Sequence, residues 1–155
     1  MNAITKKRNL AEDTHLPYIF SILNKYDLDF IPKIIEWDNE GYTYEYVVGK
    51  TIPDYYNFHE KNISQKDILK IKMALDDIWK KLYQISIENL KEGYFLFHDD
   101  PSTDNMIWKD DKLILLDIDS FCISSYVPID YLYNKTLGHL TEMYRKSKIM
   151  DDYEY

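Results

Sequence analysis

Glycine and cysteine are scarce in this 155-residue chain, and basic residues are outnumbered. Each shortage removes a class of function. There are four glycines, and the first is Gly41. Gly49-Lys50-Thr51 has the ending of a P-loop, but that loop also needs a glycine five positions earlier, where Tyr44 stands. A P-loop nucleotide site is therefore excluded. The single cysteine, Cys122, permits no internal disulfide and no cysteine-rich zinc site. No stretch approaches 18 consecutive apolar residues, and the opening MNAITKKRN has no apolar signal core. A soluble, cytoplasmic protein with no membrane partner is expected. Nineteen basic residues stand against 27 acidic ones, a net charge of −8. That disfavours direct binding of nucleic acid, which rests on neutralising phosphates, and suits a cationic substrate or a basic partner.

What is present is enough for a core. Apolar residues make up 45% of the chain, and its length fits one domain. Residues 3–8 read as a short strand or arm. A helix over 14–26, capped by Asp13 or Thr14 with Pro17 in its first turn, carries an apolar stripe of Leu16, Ile19, Phe20, Leu23 and Tyr26. A hairpin follows, with strands Lys33–Trp37 and Tyr42–Val48 around the turn Asp38-Asn39-Glu40-Gly41. Residues 53–58 read as a short helix. Ser64-Gln65-Lys66-Asp67 is a capping-box pattern that opens a long helix to about Ile87. Its stripe is Ile68, Ile71, Leu75, Ile78, Trp79 and Leu82. Gly93 precedes a strand at Tyr94–Phe97, and a last helix runs from Ile129 to about Lys148 with Leu132, Leu140 and Met143 inward. The hairpin over 33–48 should pack on the helix 14–26, and the long helix should lie under residues 95–121.

The chemistry concentrates in Phe95–Phe121, FLFHDDPSTDNMIWKDDKLILLDIDSF. The pattern is H-x-D-x4-N, an apolar hairpin turning at Lys109-Asp110-Asp111, then D-x-D. Ile114, Leu115 and Leu116 drive a buried strand into Asp117, and a carboxylate at the end of such a strand needs a cationic partner. The competing reading is an acidic hairpin with solvated loop carboxylates. His98 alone is more often a packed, hydrogen-bonded histidine than a base.

This order of motifs resembles the catalytic and metal-binding loops of the protein-kinase-like phosphotransferases, nearest to the aminoglycoside and choline kinases. HDDPSTDNMI is also similar to the small kinase of the tRNA-modifying KEOPS complex. The resemblance implies an α+β kinase-like fold with its N-lobe, about 1–48, truncated to a helix plus hairpin, and a short helical C-lobe over 49–155. It implies Mg²⁺ and ATP as cofactors. On it, Asp100 is the catalytic carboxylate that orients the attacking hydroxyl, while Asn105, Asp117 and Asp119 are the magnesium ligands. Tyr44-Glu45-Tyr46-Val47-Val48-Gly49 looks like a kinase hinge, where backbone at Glu45 and Val47 would take the adenine; an ordinary amphipathic edge strand is the alternative. Ala3-Ile4-Thr5-Lys6-Lys7 resembles the tail of the lysine-bearing strand, which offers Lys6 or Lys7 to the phosphates. Charge and position alone read both lysines as solvated, and on that reading replacing them by Ala changes nucleotide affinity little.

The departures are equally plain. There is no glycine-rich loop, no activation segment is apparent, and Asp99 adds a charge beside Asp100. Two hypotheses follow. One is a minimal Mg·ATP phosphotransferase acting on a small-molecule or protein hydroxyl, with a partner chain covering the open nucleotide site. The other is a pseudokinase that binds or regulates without turnover.

Overall fold

A computed structural model describes residues 2–12, 15–58 and 62–153. Asp13 and Thr14, the expected caps of the first helix, lie outside these. Helices and strands are mixed, and among the described residues no helix is long and apolar enough to cross a membrane.

The chain opens with strand β1, Ala3–Lys7, followed by helix α1, Leu16–Leu23. Four residues of the apolar stripe, Leu16, Ile19, Phe20 and Leu23, are buried, while Tyr26 lies beyond the helix and is only partly buried. The helix is shorter than the expected 14–26 at both ends, with His15 at its N-cap and Pro17 in its first turn. Strands β2, Ile34–Asp38, and β3, Gly41–Glu45, form the hairpin. Its turn is closed by Asp38, whose Oδ1 accepts from the amides of Glu40 at 2.8 Å and Gly41 at 3.2 Å, a side chain standing in for backbone. Phe20 of α1 meets Trp37 and Tyr42 of the hairpin at ring-centroid distances of 5.8 and 5.0 Å.

One feature departs from the sequence reading. The return strand was read as an edge, but the sheet order is β1-β3-β2, which puts β3 in the centre. The N-terminal arm pairs along its whole length with β3, from Ala3 opposite Glu45 to Lys7 opposite Gly41. Gly41 makes that approach possible: a Cβ there would sit 2.3 Å from the Lys6 carbonyl oxygen. The N-terminal layer is thus a helix on three strands, rather than a helix on a hairpin.

Helix α2, Ile52–Phe58, leads to helix α3, Gln65–Asn89. The capping box forms as read: Ser64 Oγ accepts from the Asp67 amide at 3.1 Å, and Asp67 Oδ2 accepts from the Ser64 amide at 3.2 Å. Ile71, Leu75, Ile78, Leu82 and Ile85 are the buried face of α3. The buried Ser86 hydroxyl donates to Leu82 O at 2.7 Å and accepts from the Leu96 amide at 2.9 Å, which fastens α3 beneath strand β4, Phe95–His98. Strands β5, Met106–Lys109, and β6, Lys112–Leu115, make a second hairpin, and β7, Phe121–Ser124, returns beside β4. Helix α4, Ile129–Tyr153, closes the fold, with Leu132 and Leu140 buried and Met143 partly so. The buried core runs as one cluster from Leu10 to Leu140.

The β5-β6 turn places both central residues in the left-handed region, Asp110 at φ 52° and Asp111 at φ 60°. This is the twist-matched two-residue hairpin turn, built without its favoured glycine. Asp111→Gly should therefore raise unfolding free energy by about 0.5–1 kcal/mol. The Lys70–Asp111 pair lost with it is 3.6 Å long and largely exposed, so it offsets little. A thermal melt checks this; a lower midpoint for the variant would mean the pair outweighs the backbone.

Candidate active site

The β5-β6 hairpin brings the two ends of the motif together. Met106 lies opposite Leu115, so the residues just outside the ladder meet: the Leu116 amide donates to Asn105 O at 2.7 Å. Asp117 then takes a left-handed backbone, φ 56° and ψ 60°, which ends the strand. A single tight turn, Ile118–Ser120, follows and is closed by the Ser120 amide on Asp117 O at 2.9 Å.

His98 holds the other side. It is fully buried, and its Nε2 bonds Leu116 O at 2.8 Å while its Nδ1 bonds the Asp100 amide at 3.1 Å. A backbone amide can only donate, so Nδ1 accepts and the proton sits on Nε2. One neutral imidazole therefore ties the loop carrying Asp100 to the residue before Asp117. Burial pulls its proton affinity below the ordinary value of 6.5, against the Leu116 carbonyl and the nearby Asp117 and Asp100. The unfolded chain consequently takes up this proton first as pH falls. The stabilisation is complete above about pH 6.5 and is lost as pH falls through that value towards the folded one. Wild-type stability should decline as pH falls from about 7 through about 6.5 and below. The measurement is denaturant unfolding across that range for wild type and His98→Gln, and an equal slope in both would clear His98 of the effect.

Asp100 and Asn105 pair with each other. Asn105 Nδ2 donates to Asp100 O at 3.2 Å and to Asp100 Oδ2 at 3.0 Å. The other carboxylate oxygen, Oδ1, accepts from Lys135 Nζ at 3.1 Å. Helix α4 delivers Lys135, and it is fixed to the same loop by Thr136 on Pro101 O and by His139 on Thr103. The Lys135 ammonium lies 4.8 Å from the Tyr131 ring centroid, and bonding with Tyr131 and Asp100 raises its proton affinity. Nothing local in the sequence marks Lys135; only the fold brings it to Asp100.

Lys6 is the largest correction. It is part-exposed but ion-paired rather than free in solvent. Its ammonium bonds Asp117 Oδ1 and Asp119 Oδ1, both at 2.9 Å. Burial pulls its proton affinity down, but the bonds to Asp119 and Asp117 outweigh that, and the net shift is upward. Asp117 shifts the other way and is held well below the usual carboxylate range, its oxygens accepting from Lys6 and Ser120. Ser120 Oγ donates to Asp117 Oδ2 at 2.8 Å. Arg8 NH1 reaches Asp119 Oδ2 at 3.0 Å. Arg8 was missed, although it stands two positions after Lys6 and so on the same face of an extended chain. Glu12 is exposed and α1 carries no acidic residue, so the acidic partners of Lys6 come from the D-x-D turn instead. Lys7 is exposed, as read.

The remaining candidates sit apart from these groups. The Glu45 amide is spent on Lys33 O at 2.9 Å, and the next amide, Tyr46, on Asn2 O at 2.8 Å. Val47 follows β3 in an irregular stretch, itself partly buried between the exposed Tyr46 and Val48. Asp99 is exposed, with its amide on Ser120 O at 2.9 Å. Among the described residues no three or more His, Cys, Asp or Glu side chains are grouped so as to hold a metal by themselves.

No family model and no curated protein matches the chain. Among solved structures, the chain is similar to the ternary complex of streptomycin, ATP and the aminoglycoside phosphotransferase APH(2")-IIa. Identity is 18% and the TM-score 0.46. The match covers 79% of this chain but only 61% of that one, so this chain spans about three fifths of the length of the protein it resembles.

Proposed function

We propose that the chain is a kinase-like phosphotransferase that moves the terminal phosphoryl group of Mg·ATP to a hydroxyl acceptor. One observation carries the reading: Lys6, from the first strand, is held 2.9 Å from both carboxylates of the D-x-D turn. A phosphate-seeking ammonium beside metal-seeking oxygens is what positioning a nucleotide triphosphate requires.

The donor set suits magnesium. Asn105 spends Nδ2 on Asp100, which leaves its carbonyl oxygen as the ligand atom. Asp117 is held ionised, and its side chain is 32% exposed. One amide oxygen and one carboxylate are a normal protein contribution for this ion, which keeps waters and takes substrate phosphates. Bound there, Mg²⁺ would neutralise charge on the phosphate oxygens. The chain's own residues do the rest. Lys6 would pair with the phosphates. Asp100 would orient the acceptor: its oxygen forms the new bond to the terminal phosphorus, the bond to the bridging oxygen breaks, ADP leaves, and the proton passes to the Asp100 carboxylate. Lys135 would hold that carboxylate in place. Backbone at Val47 is the candidate for the adenine edge. The net charge of −8 favours a cationic acceptor, and a partner chain would cover the nucleotide where a glycine-rich loop is lacking.

A second reading has its own support. Lys6 and Arg8 already neutralise Asp117 and Asp119, so the cluster is satisfied without nucleotide, as a binding-only pseudokinase would have it. Isothermal titration of ATP with and without Mg²⁺ is the first test of the phosphotransferase. Tighter binding with Mg²⁺ supports it; no heat in either condition leaves the second reading standing.

A further inference from the structure

The two carboxylates of the D-x-D turn are not equivalent, although the sequence offers both to one ion. The side chain of Asp117 is 32% exposed and faces one cation and one neutral hydroxyl, Lys6 and Ser120. That of Asp119 is 5% exposed and faces two cations, one on each oxygen: Lys6 at 2.9 Å and Arg8 at 3.0 Å. The buried Tyr42 stands opposite Lys6 in the sheet. A divalent ion at Asp119 would meet two positive charges already in contact with it. At Asp117 it would meet one.

The sheet explains why both cations arrive together. The Arg8 amide donates to Glu40 O at 2.8 Å, so the extended pairing continues past Lys7. Residues 6 and 8 then share a face, while Lys7 is exposed. Gly41 lets this segment approach β3 closely enough to reach the turn.

We infer that Asp119 is a positioning residue: it seats Lys6 and Arg8 side by side as a two-cation clamp for the phosphate chain of a nucleotide, and it does not ligate metal. This rests on the phosphotransferase reading and deepens it. Arg8 adds a second charge-assisted donor to the compensation of phosphate charge beside Lys6.

The test uses ATP with Mg²⁺, ATP without it, and adenosine, titrated into the full chain. Arg8→Gln and Asp119→Asn should each weaken ATP binding about tenfold or more, to the same degree with and without Mg²⁺, because a charge-assisted bond is lost and no ligand to the ion is. Adenosine, which has no phosphate, should bind both variants as it binds wild type; a merely unfolded site would lose it too. Asp117→Asn should behave differently and erase the gain that Mg²⁺ gives. If Asp119→Asn erases that gain, Asp119 is a metal ligand and the clamp is overturned while the phosphotransferase reading stands. Unchanged ATP affinity in Arg8→Gln also overturns the clamp, and this variant decides alone if Asp119→Asn fails to fold. A wild type that binds no ATP in either condition overturns both.

Discussion

Asp117→Asn should abolish Mg²⁺-dependent ATP binding, while Asp100→Asn should leave that binding nearly intact. The two aspartates sit on opposite sides of one imidazole, yet their surroundings assign them to different partners. Asp117 is held ionised, its oxygens accepting from Lys6 and Ser120, and it lies next to the residue that pairs with Asn105. Its charge is the group that an ion bridging phosphates would need, and an amide in its place removes that charge. Asp100 bonds Asn105 and Lys135 and is the carboxylate left for an acceptor hydroxyl, which is absent when only nucleotide is bound. Removing its negative charge would if anything tighten nucleotide binding. Transfer should fall in both variants, by about 10²–10⁴-fold for Asp100→Asn, the usual worth of a positioned acid or base. Titration of Mg·ATP into wild type and both variants under one set of conditions checks the assignment. Loss of binding in Asp100→Asn with retention in Asp117→Asn would reverse the two roles.

Lys6→Ala should cost more than about tenfold in ATP affinity, and Lys7→Ala close to nothing. Two adjacent lysines look alike in composition, but the pleat of β1 sends them to opposite faces. Lys6 contacts both D-x-D carboxylates, while Lys7 is exposed. Without Lys6, two acidic groups near the phosphates keep Arg8 alone as an ion-pair partner among the described residues, and repulsion adds to the lost contact. A charge-assisted bond to phosphate is worth about 1.5–3 kcal/mol, enough for a tenfold to hundredfold effect, and part-exposure at Lys6 argues for the lower end. Equal affinities for wild type and Lys6→Ala would return Lys6 to the solvated reading.

The sequence was most legible where periodicity and local chemistry agree. The stripe of Ile71, Leu75, Ile78 and Leu82 located α3, and Ser64 with Asp67 located its start. The spacing of Asn105, the Asp110-Asp111 turn and Asp117 foretold a hairpin that returns its ends to one place, and the Leu116–Asn105 bond is that meeting. It was least legible where a partner lies far along the chain. Lys6 reads as part of a basic terminus because its two acidic neighbours are over a hundred positions away. Residues 3–8 read as a short strand or arm without a named partner, because nothing within them shows that β3 has a second free side. Lys135 reads as one more surface lysine until α4 is packed against the loop of Asp100. Local patterns report which element forms; they are silent on which distant element it will meet.

The bond between Lys6 and Asp119 closes 113 positions of chain. At equilibrium so wide a ring costs little more than a narrow one, because closure entropy grows only with the logarithm of its length. In time the difference is large, since non-local pairings form slowly. A refolding molecule would have α3 and its apolar face in place well before its first strand found the D-x-D turn. Recovery of nucleotide affinity should therefore trail recovery of the helical signal. At the folded end of the same process, β1 has a neighbour on one side only, so its amides should exchange with solvent ahead of those of α3. The residues of β1 leave the ribosome well before the D-x-D turn, yet would be among the last to take up their posts.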